Sequence, residues 1–298
     1  MDGAIIVRKE KDFTSFDVVA KMRGICGTRK IGHTGTLDPQ AEGVLVLCLG
    51  KGTRACELLA DHDKEYECEM LLGRTTATED IWGETLSEHS LTEITENSLD
   101  SVIMSFKGEI MQVPPAYSAL KVDGRRSYDL ARAGMSVEHK ARPVTISELE
   151  ILSVKLPRVK FRVSCSKGTY VRSLCRDIGE KLGCGACMSG LLRTRTGDFR
   201  LKDARTLGEL QALKDEGRLE EAVIPLEKLF SQFPYLQVKE EADRFLINGN
   251  KLIRQNFIET DKELTDDMTY RIYQSSGEFK ALYRYILSED IFKPVKMF

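Results

Sequence analysis

Apolar and polar positions along this chain fall into two periods, and their change-overs divide it into short elements. Val44 to Leu49 is one continuous apolar run of the buried-strand type. Tyr66, Cys68 and Met70 instead alternate with Glu65, Glu67 and Glu69, which predicts a half-buried strand, and Lys160 to Cys165 alternates in the same way. Thr14-Ser15 ahead of Asp17 to Met22 predicts a capped helix that ends near Gly24 to Gly27. Leu99, Val102, Ile103 and Phe106 share a helical face. After Gly168 breaks a strand, Val171, Leu174, Cys175, Ile178 and Leu182 form a second helical stripe, with Arg172 in its first turn, off the stripe and free to point back toward a neighbouring loop. Strands and helices without a strict βαβ rhythm predict an α+β fold rather than a doubly wound sheet. Phe233-Pro234 marks a boundary, and Leu236-Gln237-Val238 begins a new series of short strand-like pieces. A large domain over 1–232 and a small one over 233–298 are expected.

Composition adds class but not function. The chain has 298 residues, 42% apolar and 30% charged, as an ordinary globular protein does. Its start lacks the apolar segment of a signal peptide, and no apolar run approaches the roughly 18 residues of a membrane span, so a cytoplasmic location without a membrane partner is expected. The eight cysteines lack the spacing of a disulfide scaffold and are expected to be reduced. The net charge of −2 hides an uneven distribution: residues 1–120 hold 12 Lys and Arg against 20 Asp and Glu, 121–205 hold 19 against 9, and 206–298 hold 13 against 17. A central positive block between two acidic segments predicts a localised phosphate-binding face.

One carboxylate then stands out. Gly32-His33-Thr34-Gly35-Thr36-Leu37-Asp38-Pro39 presents Asp38 from a bend where two glycines open the left-handed backbone and Pro39 biases Asp38 toward an extended one. An aspartate held this way suits a nucleophile, a base or a metal ligand, while an Asx turn entering a strand is the ordinary reason for an isolated Asp-Pro. Other motifs fail on inspection. Gly50-Lys51-Gly52-Thr53 lacks the hydroxyl residue directly after the lysine that a phosphate-binding loop requires. Cys184-Gly185-Ala186-Cys187 has no second ligand pair, and His33, His62, His89 and His139 form no metal-binding spacing. The residues call for no metal and no cofactor.

The whole stretch GHTGTLDPQAEGVLVLCLGKGTR, from Gly32 to Arg54, closely resembles the active-site signature of the TruB family of tRNA pseudouridine synthases. Lys64-Glu65-Tyr66, the run Pro114 to Lys121, the run Ser164 to Arg172 and the run Gly190 to Gly197 resemble further family motifs in the expected order. The resemblance implies a central mixed, mainly antiparallel sheet flanked by helices with a cleft across it. It also implies a thumb insertion near 115–145 that clamps an RNA stem-loop. Asn248-Gly249-Asn250, Tyr270 to Tyr273 and Gly277 to Leu282 resemble, more loosely, a PUA domain, a small RNA-binding β-barrel.

By that resemblance the chain isomerises uridine 55 in the T loop of tRNA, by base flipping and without a cofactor or guide RNA, and a monomer is the default. The resemblance makes Asp38 the catalytic carboxylate, with Arg172 paired to it and Tyr66 stacked on the uracil and assisting removal of the C5 proton. Asp80 matches a position that contacts the flipped base or its neighbours. Lys64, Lys121 and Arg132 are expected to position phosphate or substrate, with Lys64 alternatively orienting Tyr66. His33 is either a structural histidine or a contact to the RNA around the target base, and Leu191 is either core or substrate contact. Two stretches depart from the family. Arg8 to Ser15 lacks the Pro and Gly of the usual Lys-Pro-x-Gly-x-Thr-Ser, and Gln40-Ala41-Glu42 replaces the commoner Leu-Ala-Thr. Altered loop packing, with catalysis kept, is expected there.

Overall fold

The continuous apolar run becomes strand Glu42–Leu49, and its two sides explain its composition. Leu45, Leu47 and Leu49 meet Val18, Val19 and Met22 of helix Ser15–Cys26 in one core, while Val44, Val46 and Cys48 enter another with Leu59 and Phe230. A strand covered on both faces has no polar side to show. Strand Lys64–Leu72 buries Tyr66, Cys68, Met70 and Leu72 in a third core and turns its glutamates outward. The computed structural model describes the chain except residues 119, 123, 134, 136–138 and 260–262, and except the side chains of 121, 122, 126, 131 and 132 within their elements.

The outward glutamates change the electrostatic expectation. Glu67 accepts from Arg162 at 2.9 Å, Glu69 from Arg158 at 2.5 Å, and Lys160 lies 3.5 Å from Glu69. Each exposed pair adds only about 0.2–1 kcal/mol. Their larger effect is to spend part of the central positive block against the acidic strand, so that block is not wholly available for phosphate.

Strands Ile224–Pro225, Gly3–Lys9, Glu42–Leu49, Ala186–Thr196, Lys64–Leu72, Arg158–Cys165, Arg142–Lys155 and Gly108–Gln112 lie side by side in that order, with Ile31–His33 and Phe199–Arg200 added to the flanks. Every described pairing in this sheet is antiparallel save one, where Leu192 and Arg193 run parallel to Glu42 and Gly43. The fold is thus the mixed, mainly antiparallel α+β arrangement expected. Gly43 is required at the parallel contact: at φ 106, an added Cβ would lie 2.2 Å from the Arg193 carbonyl oxygen.

The helices follow the predicted stripes. Ser15–Cys26 starts at a Thr14–Asp17 capping box and stops at left-handed Gly27. Glu96–Met104 ends two residues before Phe106, which packs on the core from beyond the helix. Val171–Lys181 lays Val171, Leu174, Cys175 and Ile178 on the same core as Tyr66. Within 115–145 lie the strand pair Lys121–Val122 and Arg125–Arg126 and helix Ser127–Arg132.

From Tyr235 onward a second, curled sheet forms, in the order Tyr235–Gln237, Thr269–Tyr273, Phe279–Ile286, Ile291–Met297, Leu252–Ile253. Tyr270, Tyr283, Tyr285 and Phe292 fill its own core. Leu282 and Phe298 leave that core and join Val44, Val46 and Phe230 in the main body, which ties the two sheets together through apolar contact.

Candidate active site

The loop carrying Asp38 joins strands Ile31–His33 and Glu42–Leu49. Its rigidity does not come from left-handed glycines, because neither Gly32 nor Gly35 has a positive φ. Gly32 instead leaves room for Cys56, whose sulfur would stand 3.0 Å from an added Cβ, and Gly35 gives the Arg193 guanidinium access at 3.5 Å. Hydrogen bonds hold the loop. The buried Ser15 hydroxyl donates to the Leu37 carbonyl at 3.2 Å and accepts from the Leu37 N–H at 2.9 Å; Arg193 Nη2 donates to the Gly35 carbonyl at 3.1 Å; and the Ala41 N–H donates to the Asp38 carbonyl at 3.0 Å.

This anchoring brings the Asp38 carboxylate to Arg172, from the first turn of helix Val171–Lys181. Arg172 Nε stands 3.0 Å from Oδ2 and Nη2 donates to Oδ1 at 3.3 Å, a two-pronged pairing that fixes the plane of the carboxylate. Arg172 Nη1 also donates to the Thr78 carbonyl at 3.0 Å, Nη2 to the Tyr117 carbonyl at 3.0 Å, and Nη1 lies 3.8 Å from Asp80 Oδ2. The arginine is therefore buried although it lies off the apolar stripe, since each of its three nitrogens has an oxygen partner. Its side chain is 7% exposed and that of Asp38 is 40% exposed, so the carboxylate opens to solvent while its counter-ion lies behind it. Asp80, placed by sequence among groups that contact the base, is itself oriented by Thr78 Oγ1 at 2.6 Å and the Trp82 N–H at 3.2 Å, and stands with Arg172.

Tyr66 lies in the same core cluster as Leu37 and Ala41, the residues flanking Asp38. Across the sheet its register partner is Arg193, whose positive charge opposes the effect of burial on the phenol. Burial raises the Tyr66 pKa above the ordinary phenol value, so the side chain is neutral at pH 7. Arg193 is the residue beside the candidate site that sequence reasoning passed over. It is 2% exposed, donates from Nε to the Val44 carbonyl at 2.7 Å, and joins the Asp38 loop to the Tyr66 strand. The only signal was an arginine interrupting the apolar inner face of Ala186–Thr196. His33 is half-buried beside it, its Nδ1 unpartnered, and burial followed by the Arg193 charge lowers its pKa. Lys64 is buried, with Nζ donating to the carbonyls of Ala60 at 2.6 Å and His62 at 2.5 Å, so its ammonium is engaged by the main chain two residues from Tyr66. Leu191 packs half-buried against the core that contains Tyr66. The side chains of Lys121 and Arg132 lie outside the described residues.

The two departures from the family pattern meet beneath the site. Asp12, where the pattern has glycine, takes φ 67; its N–H donates to the Pro39 carbonyl at 3.0 Å and its Oδ1 accepts from Gln40 Nε2 at 2.9 Å. Lys11 lies 3.8 Å from Glu42. Lys9, fully buried, donates to the carbonyls of Glu10 at 2.8 Å, Phe13 at 2.6 Å and Pro39 at 3.0 Å. Burial lowers its pKa to about 8, against the opposing pull of Asp38 and Glu42. Replacing Lys9 by Met strands these carbonyls, and a loss of about 2–4 kcal/mol in urea unfolding is expected. The lysine's own contribution has a defined pH sense. Below about pH 8 both folded and unfolded states hold its proton; between there and the unfolded value near 10.5 the unfolded state holds more, so wild type should gain stability relative to Lys9→Met as pH rises through that window.

An exposed carboxylate locked by a buried guanidinium, beside a neutral buried phenol, is suited to nucleophilic or proton-transfer chemistry on a flat, uncharged ring. Among the described residues no group of His, Cys, Asp and Glu is placed to hold a metal ion, and no helix is long and apolar enough to cross a membrane.

The family models that match this chain cover its main body, up to residue 231. Residues 23–171 match the model of the TruB family pseudouridylate synthase N-terminal domain, and residues 172–231 match that of the tRNA pseudouridylate synthase B C-terminal domain. The tRNA pseudouridine synthase B of Lachnoclostridium phytofermentans is 46% identical over 309 residues, covering 100% of each chain, and that of Geobacillus thermodenitrificans is 40% identical over 306 residues with the same coverage. Among solved structures, a chain of an H/ACA ribonucleoprotein bound to a substrate RNA containing 2′-deoxyuridine superposes with a TM-score of 0.73 at 27% identity, covering 99% of this chain and 84% of that one. A chain of a Cbf5-Nop10-Gar1 complex gives 0.71 at 30% identity, covering 95% and 78%.

Proposed function

The chain belongs to the TruB family of pseudouridylate synthases, and from that premise we propose that it isomerises uridine 55 in the T loop of tRNA, alone and as a monomer in the cytoplasm. The observation that carries this reading is the Asp38–Arg172 pairing, with the carboxylate open to solvent and Tyr66 packed in the core with Leu37, the residue before Asp38. The reaction breaks the N1–C1′ bond, turns the uracil, and joins C5 to C1′; C5 loses a proton and N1 gains one, with no change of oxidation state. A stacked base is out of reach of a carboxylate on a protein wall, so the nucleotide is flipped out at a cost of a few kcal/mol, recovered by stacking and hydrogen bonds. Attack at C6, attack at C1′ and a glycal route each use the same carboxylate, held in plane by Arg172.

Tyr66 offers its face to the uracil and its neutral hydroxyl as a proton relay, the oxygen taking the proton that leaves C5 as its own O–H proton passes on to water. Tyr66→Phe keeps the face, so tRNA affinity should stay within a few-fold while the single-turnover rate falls about a hundredfold or more, the scale of a lost acid-base group. Release of tritium from tRNA labelled at uridine C5 measures it.

Recognition of the T stem-loop is assigned to the 115–145 insertion, with Lys121 and Arg132 on phosphates, to His33 near the target base, and to the curled 233–298 sheet as a PUA-like module. Shape reading suits structured RNA, whose deep major groove hides its base edges. Carbodiimide mapping with primer extension on an unmodified tRNA transcript, with no guide RNA present, tests the whole reading. One T-loop stop at position 55 supports it; bound tRNA without a stop sinks it.

A further inference from the structure

Glu79 directly precedes Asp80, and its backbone sits at φ 62, where a glutamate is strained and a glycine is not. Its carboxylate, 12% exposed, faces helix Val171–Lys181, where Ser173 Oγ donates to Oε2 at 2.7 Å and Arg176 Nη1 donates to Oε1. Burial raises the Glu79 pKa, and Arg176 and Ser173 oppose that rise. Arg176 is fixed in turn by Asp177 at 2.7 and 2.9 Å, and donates to the Val113 carbonyl at 3.1 Å. One helical turn earlier, Arg172 holds the carbonyls of Thr78 and Tyr117. The two arginines, four residues apart on one face, thus grip the same two segments: the 78–80 turn and the stretch from Val113 to Tyr117.

We propose that Glu79 and Arg176 are positioning residues, whose ion pair latches the turn carrying Asp80 onto the helix carrying Arg172 and so presents the Arg172 guanidinium to Asp38 in one orientation. The inference rests on the pseudouridine-forming reading of the site. A buried ion pair gains little net stability against its desolvation, whereas it fixes geometry well where each partner has further hydrogen bonds, as both have here. The turn does not need the latch to stay on the protein. Its other side is bonded to strand Ala186–Thr196, with the Ile81 N–H donating to the Met188 carbonyl at 2.9 Å and the Met188 N–H to the Glu79 carbonyl at 3.0 Å. Loss of the latch therefore loosens the side facing Arg172 and leaves the fold in place.

Glu79→Gly is the decisive variant, because glycine suits φ 62 and only the carboxylate is lost. Three measurements belong together: single-turnover pseudouridine formation, tRNA affinity, and the 15N-resolved Nε–H signal of Arg172, assigned by its absence in Arg172→Lys. The expected result is a rate at least about tenfold lower, affinity within twofold of wild type, and a shifted or broadened Arg172 signal, with Glu79→Gln intermediate because it still accepts from Ser173. A Glu79→Gly protein with the wild-type rate, with an unmoved Arg172 signal, or with a rate loss matched by lost tRNA affinity overturns the latch. If wild type forms no pseudouridine on tRNA yet the signal moves in Glu79→Gly, the positioning stands and only the assigned reaction falls.

Discussion

Asp38→Asn should form no detectable pseudouridine, a loss of at least about a thousandfold in single-turnover rate, the scale reached when a positioned nucleophile or base is removed. Asparagine keeps the volume and one acceptor for Arg172 but has neither the charge nor the basicity that any of the three chemical routes uses. Because the side chain is partly open to solvent and the loop is pinned through Ser15, Arg193 and Lys9, the variant should unfold at nearly the same denaturant concentration as wild type. Filter binding should find tRNA affinity within a few-fold. A substantial residual rate, or a rate loss tracking lost affinity, would mean that the carboxylate is not the reacting group.

Loss of Arg172 should be nearly as severe for the reaction and far worse for the fold. Arg172→Met leaves Asp38 and Asp80 facing each other without a cation, and strands the Thr78 and Tyr117 carbonyls. Removing one partner of a buried ion pair costs about 3–5 kcal/mol, a large part of the stability of a typical domain. Arg172→Lys is the informative companion. It retains the charge as a point on a flexible stem, and cannot present a planar fork to a carboxylate and two carbonyls together. Its rate should fall about a hundredfold or more, with roughly half the stability loss of the methionine variant, as seen by urea titration. A lysine variant with near-normal rate would show that charge alone, rather than fixed orientation, is what the site requires.

These expectations draw unevenly on the sequence. The strands around Val44 and Tyr66 and the helix bearing Arg172 were legible because each buries a face whose period survives in the order of residues. Asp38, Tyr66 and Arg172 were legible as candidates through motifs, and the fold brings them together. Arg193, Lys9 and Glu79 were not, because their role is set by what folds over them. A charged residue in a strand reads as a wet face until a loop closes on it: the carbonyls on Arg193 come from far along the chain, and Pro39 joins the nearby Glu10 and Phe13 over Lys9. Backbone strain is equally hidden: nothing in the letters sets Glu79 or Asp12 apart as left-handed. The positive segment was legible as a count, but its partners on the Tyr66 strand, nearly a hundred residues away, were not.

The contact of Asp12 with Gln40, and of Lys11 with Glu42, has a bearing on heredity. Three changed positions, Asp12, Gln40 and Glu42, together with Lys11 tie two stretches almost thirty residues apart beneath the Asp38 loop, so neither stretch is a free variable. Restoring glycine at position 12 alone would relieve the strained backbone and leave the Gln40 amide without its partner; restoring leucine at position 40 alone would keep the strain and remove the bond that offsets it. The two stretches are therefore coupled, and a chimaera that swaps residues 8–15 with those of a relative should work best when residues 40–42 travel with them.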